Sequence, residues 1–379
     1  MTVTDAVRGD LAEVRAGVDA TLDRFLAEKA RTAPDPCLPP LVDVLRGFVA
    51  GGPRLGPSAC HCGFLAAGGS SDDPAVAWTG AALEMFHTFA LVHDDIMSHA
   101  ELRRGRPTVH RALAERFPGV DGDPTAAERF GVNLAILAGD LCSTWTDELL
   151  DRAEVDRARW REVRALLHTM RTELIAGQCL DLGGDPRSTA DPVRSAWRMI
   201  RLKTARYAVE LPLRVGVALA GGGEAPTGGG EALTRFCGAY GRPVGEAFQL
   251  RDDLLGVFGD PEVPGRPSPQ ALRGGRPTVL MALARQQATP EQLEVISTLH
   301  GDPELDEERA ARLRDVVVAT GAVARVERLI KARADRASGA LRSSATSPAA
   351  KASLAELVAL TTRRPRSVTT PAQRTRSGT

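Results

Sequence analysis

The chain has 379 residues, a quarter of them charged, with acidic and basic side chains in equal number and a formal net charge of zero. That balance excludes a nucleic-acid binder working by bulk charge. Its length allows one large domain or two, and abundant Ala, Leu and Arg with only 4% aromatics point to a mostly helical protein.

Apolar residues at three- and four-residue spacing, including Val14, Val18, Leu22 and Phe25, predict a first helix near residues 5–31. Pro39-Pro40 starts a short helix that ends at Gly51-Gly52-Pro53. Cys60-His61-Cys62 lacks a second ligand pair at zinc spacing and reads as core. A long apolar helix begins near Asp73-Pro74 and runs into Leu91-Val92-His93-Asp94-Asp95-Ile96-Met97-Ser98, followed by Arg103-Arg104-Gly105-Arg106-Pro107-Thr108. Helices are predicted near 125–154, 158–180 and 189–219, then a flexible Gly-rich loop over 221–230, and a long helix over 229–257. Shorter helices follow near 276–286, 290–299, 306–319, 320–342 and 350–363. No strand run and no internal repeat is expected. The Arg/Ser/Thr/Pro-rich end, 364–379, is expected to be a disordered tail, leaving 1–363 as one all-α domain bundled around a deep cavity. No apolar run is read as long enough to cross a bilayer, the six cysteines are expected to be reduced core residues, and a cytoplasmic location follows.

Two aspartate pairs on apolar helices carry the chemistry. Carboxylates at the edge of an apolar run are costly unless paired or bound to a cation. Asp94-Asp95 and Asp252-Asp253, facing each other, would hold hard ions such as Mg²⁺. Asp94 is the best metal ligand of its pair, with Asp95 as support or second ligand. Arg103 and Arg104, one loop later, could grip phosphate in forked geometry. Lys203 stands out because Lys29, Lys331 and Lys351 are the only other lysines, and it is read as a diphosphate ligand rather than a snorkelling surface residue. Gln178 is a buried-type polar residue suited to orienting a substrate. Gln249, Asp260 and Arg266 accompany the second pair.

In this order, Leu-Val-His-Asp-Asp-Ile-Met, Arg-Arg-Gly-x-Pro-Thr, Gly-Gln-x-Leu-Asp, Lys-Thr-Ala and Phe-Gln-Leu-Arg-Asp-Asp-Leu-Leu-Gly resemble the trans-isoprenyl diphosphate synthases, the polyprenyl synthetase family, over residues 10–363. The resemblance implies an all-α fold, a homodimer, and Mg²⁺-assisted ionisation of an allylic prenyl diphosphate. The cation is then attacked by the double bond of isopentenyl diphosphate. It places Asp94, Asp95, Asp252 and Asp253 in the metal motifs, and Arg103 and Lys203 on the allylic diphosphate. Arg104 and His87 fall on the isopentenyl side, and Thr204 and Gln178 near the reacting carbons. Phe89, five positions before Asp94, matches the residue that floors the chain pocket of short-chain members and implies products of C15 to C20; ordinary core packing explains it equally well.

The departures fall unevenly. Ser98 stands where the family's first motif ends in aspartate. The Gly-Gly-Lys-Arg-Leu-Arg-Pro segment reads Gly51-Gly52-Pro53-Arg54-Leu55-Gly56-Pro57, so Pro53 and Gly56 replace two cations that grip isopentenyl diphosphate, and Arg54 remains. The later acidic segment has become Pro269-Gln270-Ala271-Leu272-Arg273-Gly274-Gly275-Arg276. Three activities fit this pattern: a chain-elongating transferase, which the family makes the first choice; a terpene cyclase or diphosphate-releasing lyase acting on one allylic substrate; and a non-catalytic subunit of a heteromeric synthase.

Overall fold

In a computed structural model, residues 3–117, 123–183, 191–222, 229–259 and 269–362 are described. The expected Asp260, Arg266 and the tail 364–379 lie outside them. The all-α expectation holds. The helices in order are α1 (Val3–Arg31), α2 (Leu38–Val49), α3 (Leu55–Ala66), α4 (Pro74–Met97), α5 (Val109–Arg116), α6 (Pro124–Asp151), α7 (Arg157–Gly183) and α8 (Pro192–Ile200). A π-helical stretch, Arg201–Glu210, leads into α9 (Leu211–Leu219) and α10 (Gly229–Phe258). Then come α11 (Gln270–Arg273), α12 (Val279–Gln287), α13 (Pro290–Leu299), α14 (Glu307–Ala319), α15 (Ala322–Arg342) and α16 (Pro348–Thr362).

The chain divides into two compact units, Met1–Leu167 with Leu211–Arg235 and Ala345–Glu356, and His168–Glu210 with Phe236–Ser344 and Leu357–Thr379. In the first, α4 starts as the sequence indicates: Asp73 caps it by accepting from the Ala75 amide, with Pro74 in the first turn. It packs against α1, α3 and α6. Sequence reasoning missed α3. Its residues Pro57 to Phe64 are all buried, so it carries no polar stripe from which a helical period could be read. It lies backbone-to-backbone on α9: a Cβ on Gly63 would overlap the Leu213 carbonyl, and one on Gly216 the Cys60 carbonyl. Cys60-His61-Cys62 is therefore core, and burial pushes the Cys60 thiol up to about 12. Cys142 and Cys237 are buried too, but Cys37 and Cys179 are exposed, which corrects the expectation of scattered core cysteines in those two cases.

Two further corrections belong to this unit. Helix α4 is long and apolar enough to cross a membrane by length and composition, contrary to the sequence reading. Yet 61% of its apolar window is buried within the protein and it carries the buried Glu84, Asp94 and Asp95. A strand pair also exists: Leu102–Arg103 (β1) pairs antiparallel with Arg106–Pro107 (β2). Two residues per strand are too few for an alternation pattern. The turn between them needs positive φ at both central residues, here Arg104 (52°) and Gly105 (75°).

In the second unit a core of Leu250, Leu254, Leu280, Ile296, Leu313, Val317, Val326 and Ile330 joins α10 to α12–α15. Arg251 forks onto Glu327 at 2.7 and 2.9 Å and ties α10 to α15. The π-helical stretch is gripped from both sides. Arg206 forks onto Glu173 of α7 at 2.6 and 2.8 Å. Gly245 of α10 comes so close that a Cβ there would meet the Ala205 Cα at 2.5 Å. Runs of π-helix this long are rare and concentrate at functional sites; Lys203 and Thr204 both lie in this one.

Candidate active site

In the first unit the last turn of α4 carries Asp94 and Asp95, both buried. The hairpin then turns Arg103 back onto them. Its Nε donates to both Asp95 oxygens at 2.9 Å, one terminal nitrogen donates to Asp95 at 2.7 Å, and the same nitrogen is 3.5 Å from Asp94. The forked bond therefore belongs to Asp95. Asp94 is held by the same guanidinium only at the longer distance. Ser98 is turned elsewhere: its hydroxyl donates to the Asp94 carbonyl at 2.7 Å and caps the helix.

The residues expected on the isopentenyl side lie on the same unit. His87 is half-buried, about two helical turns before Asp94. Burial holds its pKa below the ordinary imidazole value, Glu84 opposes this, and Arg104, Arg103 and Arg54 add to it. Arg104 donates to the Gly51 carbonyl at 3.2 Å. It is seated so closely that a Cβ on Gly52 (φ 105°) would strike its guanidinium. Arg54 is placed differently from what its motif position suggests. Its φ is 50°, its side chain is only 2% exposed, and it donates to Asp19 at 2.7 Å, Glu84 at 2.6 Å and the Val49 carbonyl at 2.7 Å. Those partners occupy the guanidinium in fixing the loop. Phe89 stacks on Phe86 with ring centres 5.3 Å apart and meets His93 edge-on at 4.8 Å.

The second unit carries the remaining expected residues. Lys203 donates to Asp181, whose side chain is 8% exposed. Thr204 donates to the Gln249 side-chain oxygen at 2.6 Å, and the Gln249 amide donates to Asp253 at 2.8 Å. Thr204, Gln249 and Asp253 thus form one hydrogen-bonded chain, although the sequence separates Thr204 from the other two. Burial pushes the Asp253 carboxyl up to about 7; Gln249 and Arg276 work against this, while Asp252 and Asp181 add to it. Gln178 is half-buried three residues before Asp181, on the same face of α7. Asp181 ends the Gly-Gln-x-Leu-Asp motif, and its position three residues after Gln178 is the sequence signal that marks it. The altered segment 269–276 packs beside α10: a Cβ on Gly256 would sit 3.7 Å from the Ala271 Cβ.

Mg²⁺ binds through one or two carboxylates plus phosphate oxygens and water rather than through an all-protein cage. Among the described residues no group of three or more His, Cys, Asp or Glu is assembled for a metal, and each unit, taken by itself, offers an adjacent aspartate pair instead. The hard oxygen donors fit that ion, and a cation beside Asp253 would relieve a carboxyl that burial holds near neutrality.

An aspartate pair gripped by Arg103, a second aspartate pair, and Lys203 held by Asp181, all on an all-α frame, suit metal-assisted diphosphate chemistry. The polyprenyl synthetase family model matches residues 39–317. A geranylfarnesyl diphosphate synthase of Aeropyrum pernix is 31% identical over 72% of this chain and 78% of its own. A (2E,6E)-farnesyl diphosphate synthase of Mycobacterium tuberculosis is 38% identical over 57% of this chain and 53% of its own. The crystal structure of a geranylgeranyl pyrophosphate synthase from Corynebacterium glutamicum, complexed with isoprenyl diphosphate and magnesium, is 36% identical with a TM-score of 0.84, covering 94% of this chain and 99% of that one. The chain belongs to the polyprenyl synthetase family, and its class is that of the short-chain trans-prenyltransferases. The cyclase and silent-subunit readings are not favoured by these relatives.

Proposed function

We propose that this prenyltransferase joins an allylic prenyl diphosphate to isopentenyl diphosphate with the help of Mg²⁺. The allylic C–O bond breaks and its electrons leave with the diphosphate. The isopentenyl double bond attacks the resulting cation, a proton is lost, and a longer allylic diphosphate and free diphosphate remain. The single observation that carries this reading is Arg103 forked onto Asp95 beside Asp94, a cation and two carboxylates held together where a diphosphate must be gripped and neutralised.

Asp94, Asp95, Asp252 and Asp253 would hold the metal, which when bound neutralises charge on the departing diphosphate. Arg103 and Lys203 take the allylic diphosphate. The carboxylates of Asp95 and Asp181 hold these cations extended beforehand, so little side-chain freedom is lost on binding. Neutral His87 donates one N–H to the isopentenyl diphosphate beside Arg104. Thr204, locked by Gln249, and Gln178 turn oxygen dipoles toward the reacting carbons, where positive charge develops. Phe89, supported by Phe86, limits the product to C15–C20.

The protein is proposed to be a homodimer, supported by the exposed Phe130, Ile136 and Leu137 on α6. A cytoplasmic location is supported by the free thiols of Cys37, Cys60, Cys142 and Cys179. The activity is tested by supplying geranyl, farnesyl or geranylgeranyl diphosphate and Mg²⁺, with and without isopentenyl diphosphate. A longer diphosphate that needs both substrates is expected. Hydrocarbon or alcohol formed from the allylic substrate alone would replace elongation with cyclisation or hydrolysis.

A further inference from the structure

The loop that normally supplies two cations to isopentenyl diphosphate carries Pro53 and Gly56 instead, and its remaining arginine is occupied elsewhere. Arg54 is buried against Asp19 and Glu84. Arg46, on the helix leading into the loop, is paired with Asp23 at 2.6 Å. Two other guanidiniums reach the same stretch of chain from the hairpin. Arg104 donates to Gly51, and Arg106 donates to the Gly47 carbonyl at 3.3 Å, one helical turn earlier. Arg106 is exposed, and among the described residues it makes no ion pair. A carbonyl takes one of its five N–H donors and cancels none of its charge. Strand pairing sets Arg106 opposite Arg103, so the same hairpin that places the allylic-side arginine also fixes this one.

We infer that Arg106 is a specificity-determining cation for the diphosphate of isopentenyl diphosphate, compensating with Arg104 for the cations absent at Pro53 and Gly56. This rests on the elongation reading above. Its consequence is that recognition of the second substrate has moved from the loop after α2 to the hairpin after α4. A guanidinium on a short paired strand presents its N–H groups in a fixed fork, which suits a diphosphate better than a flexible ammonium does.

The experiment is steady-state kinetics of Arg106→Gln and Arg106→Lys, with each substrate varied in turn, alongside thermal melting. For Arg106→Gln, the KM for isopentenyl diphosphate is expected to rise about tenfold or more, the scale of one lost charge-assisted hydrogen bond. The KM for the allylic diphosphate should stay within about twofold, and Arg106→Lys should recover part of the loss. If Arg106 only caps α2, the melting temperature falls and both KM values are kept, which overturns the inference while elongation by the wild-type protein stands. If both KM values rise together, the residue does not discriminate and the inference also fails. Absence of elongation by the wild-type protein would remove the underlying reading, and this inference with it.

Discussion

The Ser98 hydroxyl donates to the main-chain carbonyl of Asp94 at 2.7 Å, so the side chain at the end of the first aspartate motif closes the helix rather than facing a metal. An aspartate there would carry a second carboxylate one turn from Asp94, on the same helical face. Ser98→Asp is therefore expected to lower the Mg²⁺ concentration needed for half-maximal rate by about tenfold, as a second hard ligand is added. It should also cost about 0.5 kcal/mol of stability, because a negative charge is placed at a helix C-terminus. A magnesium titration of the initial rate, with a melting curve of each protein, measures both. An unchanged magnesium requirement would show that this position does not reach the ion.

Glu84 is the interior partner of Arg54. The pair is 2.6 Å apart, with the side chains 6% and 2% exposed. Removing one member of such a pair leaves an uncompensated buried charge. Glu84→Gln is expected to destabilise the protein by about 3 kcal/mol, since Asp19 and Val49 retain part of the contact. Chemical denaturation gives the value. Because Arg54 fixes the Gly51–Gly52 loop against which Arg104 sits, the KM for isopentenyl diphosphate should rise in the same variant.

Much of this was legible in the chain. The helix over 74–97, its Asp-Pro start, the aspartate pairs and the lone Lys203 all follow from residue type and spacing. What escaped has a physical pattern. Helix α3 escaped because total burial erases the polar face that marks a helix. The hairpin at 102–107 escaped because it is two residues wide. The partnership of Lys203 with Asp181, and of Thr204 with Gln249, joins distant segments and depends on a π-helical register that no local pattern encodes. Arg54 is the sharpest case. Its motif position suggests a ligand contact, yet its energetics are decided by Glu84, thirty residues away, and a linear reading has no access to that.

The lost loop cations can be put back. Pro53 is exposed, and a Cβ on Gly56 would meet only Pro212 and Leu83, at 3.9 and 4.0 Å, which is ordinary contact. The double variant Pro53→Lys/Gly56→Arg should therefore fold. Two restored charge-assisted contacts are expected to lower the KM for isopentenyl diphosphate by about tenfold or more, with the allylic KM unchanged. Substrate-saturation curves for each diphosphate decide it. A double variant that folds and shows no gain would mean that the pocket has been rebuilt around the hairpin arginines, so that loop cations no longer reach the diphosphate.

His300 supplies a pH dependence that is independent of the active site. It ends α13, half-buried, and burial lowers its pKa from 6.5 to about 4, with Arg285 adding to the effect. The folded protein therefore keeps this imidazole neutral where the unfolded chain would protonate it. Its contribution to stability is fully present above pH 6.5, is lost progressively as pH falls toward about 4, and changes no further below that. Replacing it by glutamine removes a group that the unfolded state protonates more readily. Between pH 7 and pH 4.5 the wild-type protein should lose on the order of 1–2 kcal/mol more stability than His300→Gln, after allowance for its partial exposure. Carboxylates titrating in the same window affect both proteins alike, so the difference between their urea-denaturation curves isolates the imidazole. Parallel curves across that range would mean that His300 is protonated in the folded protein and that its surroundings solvate the charge.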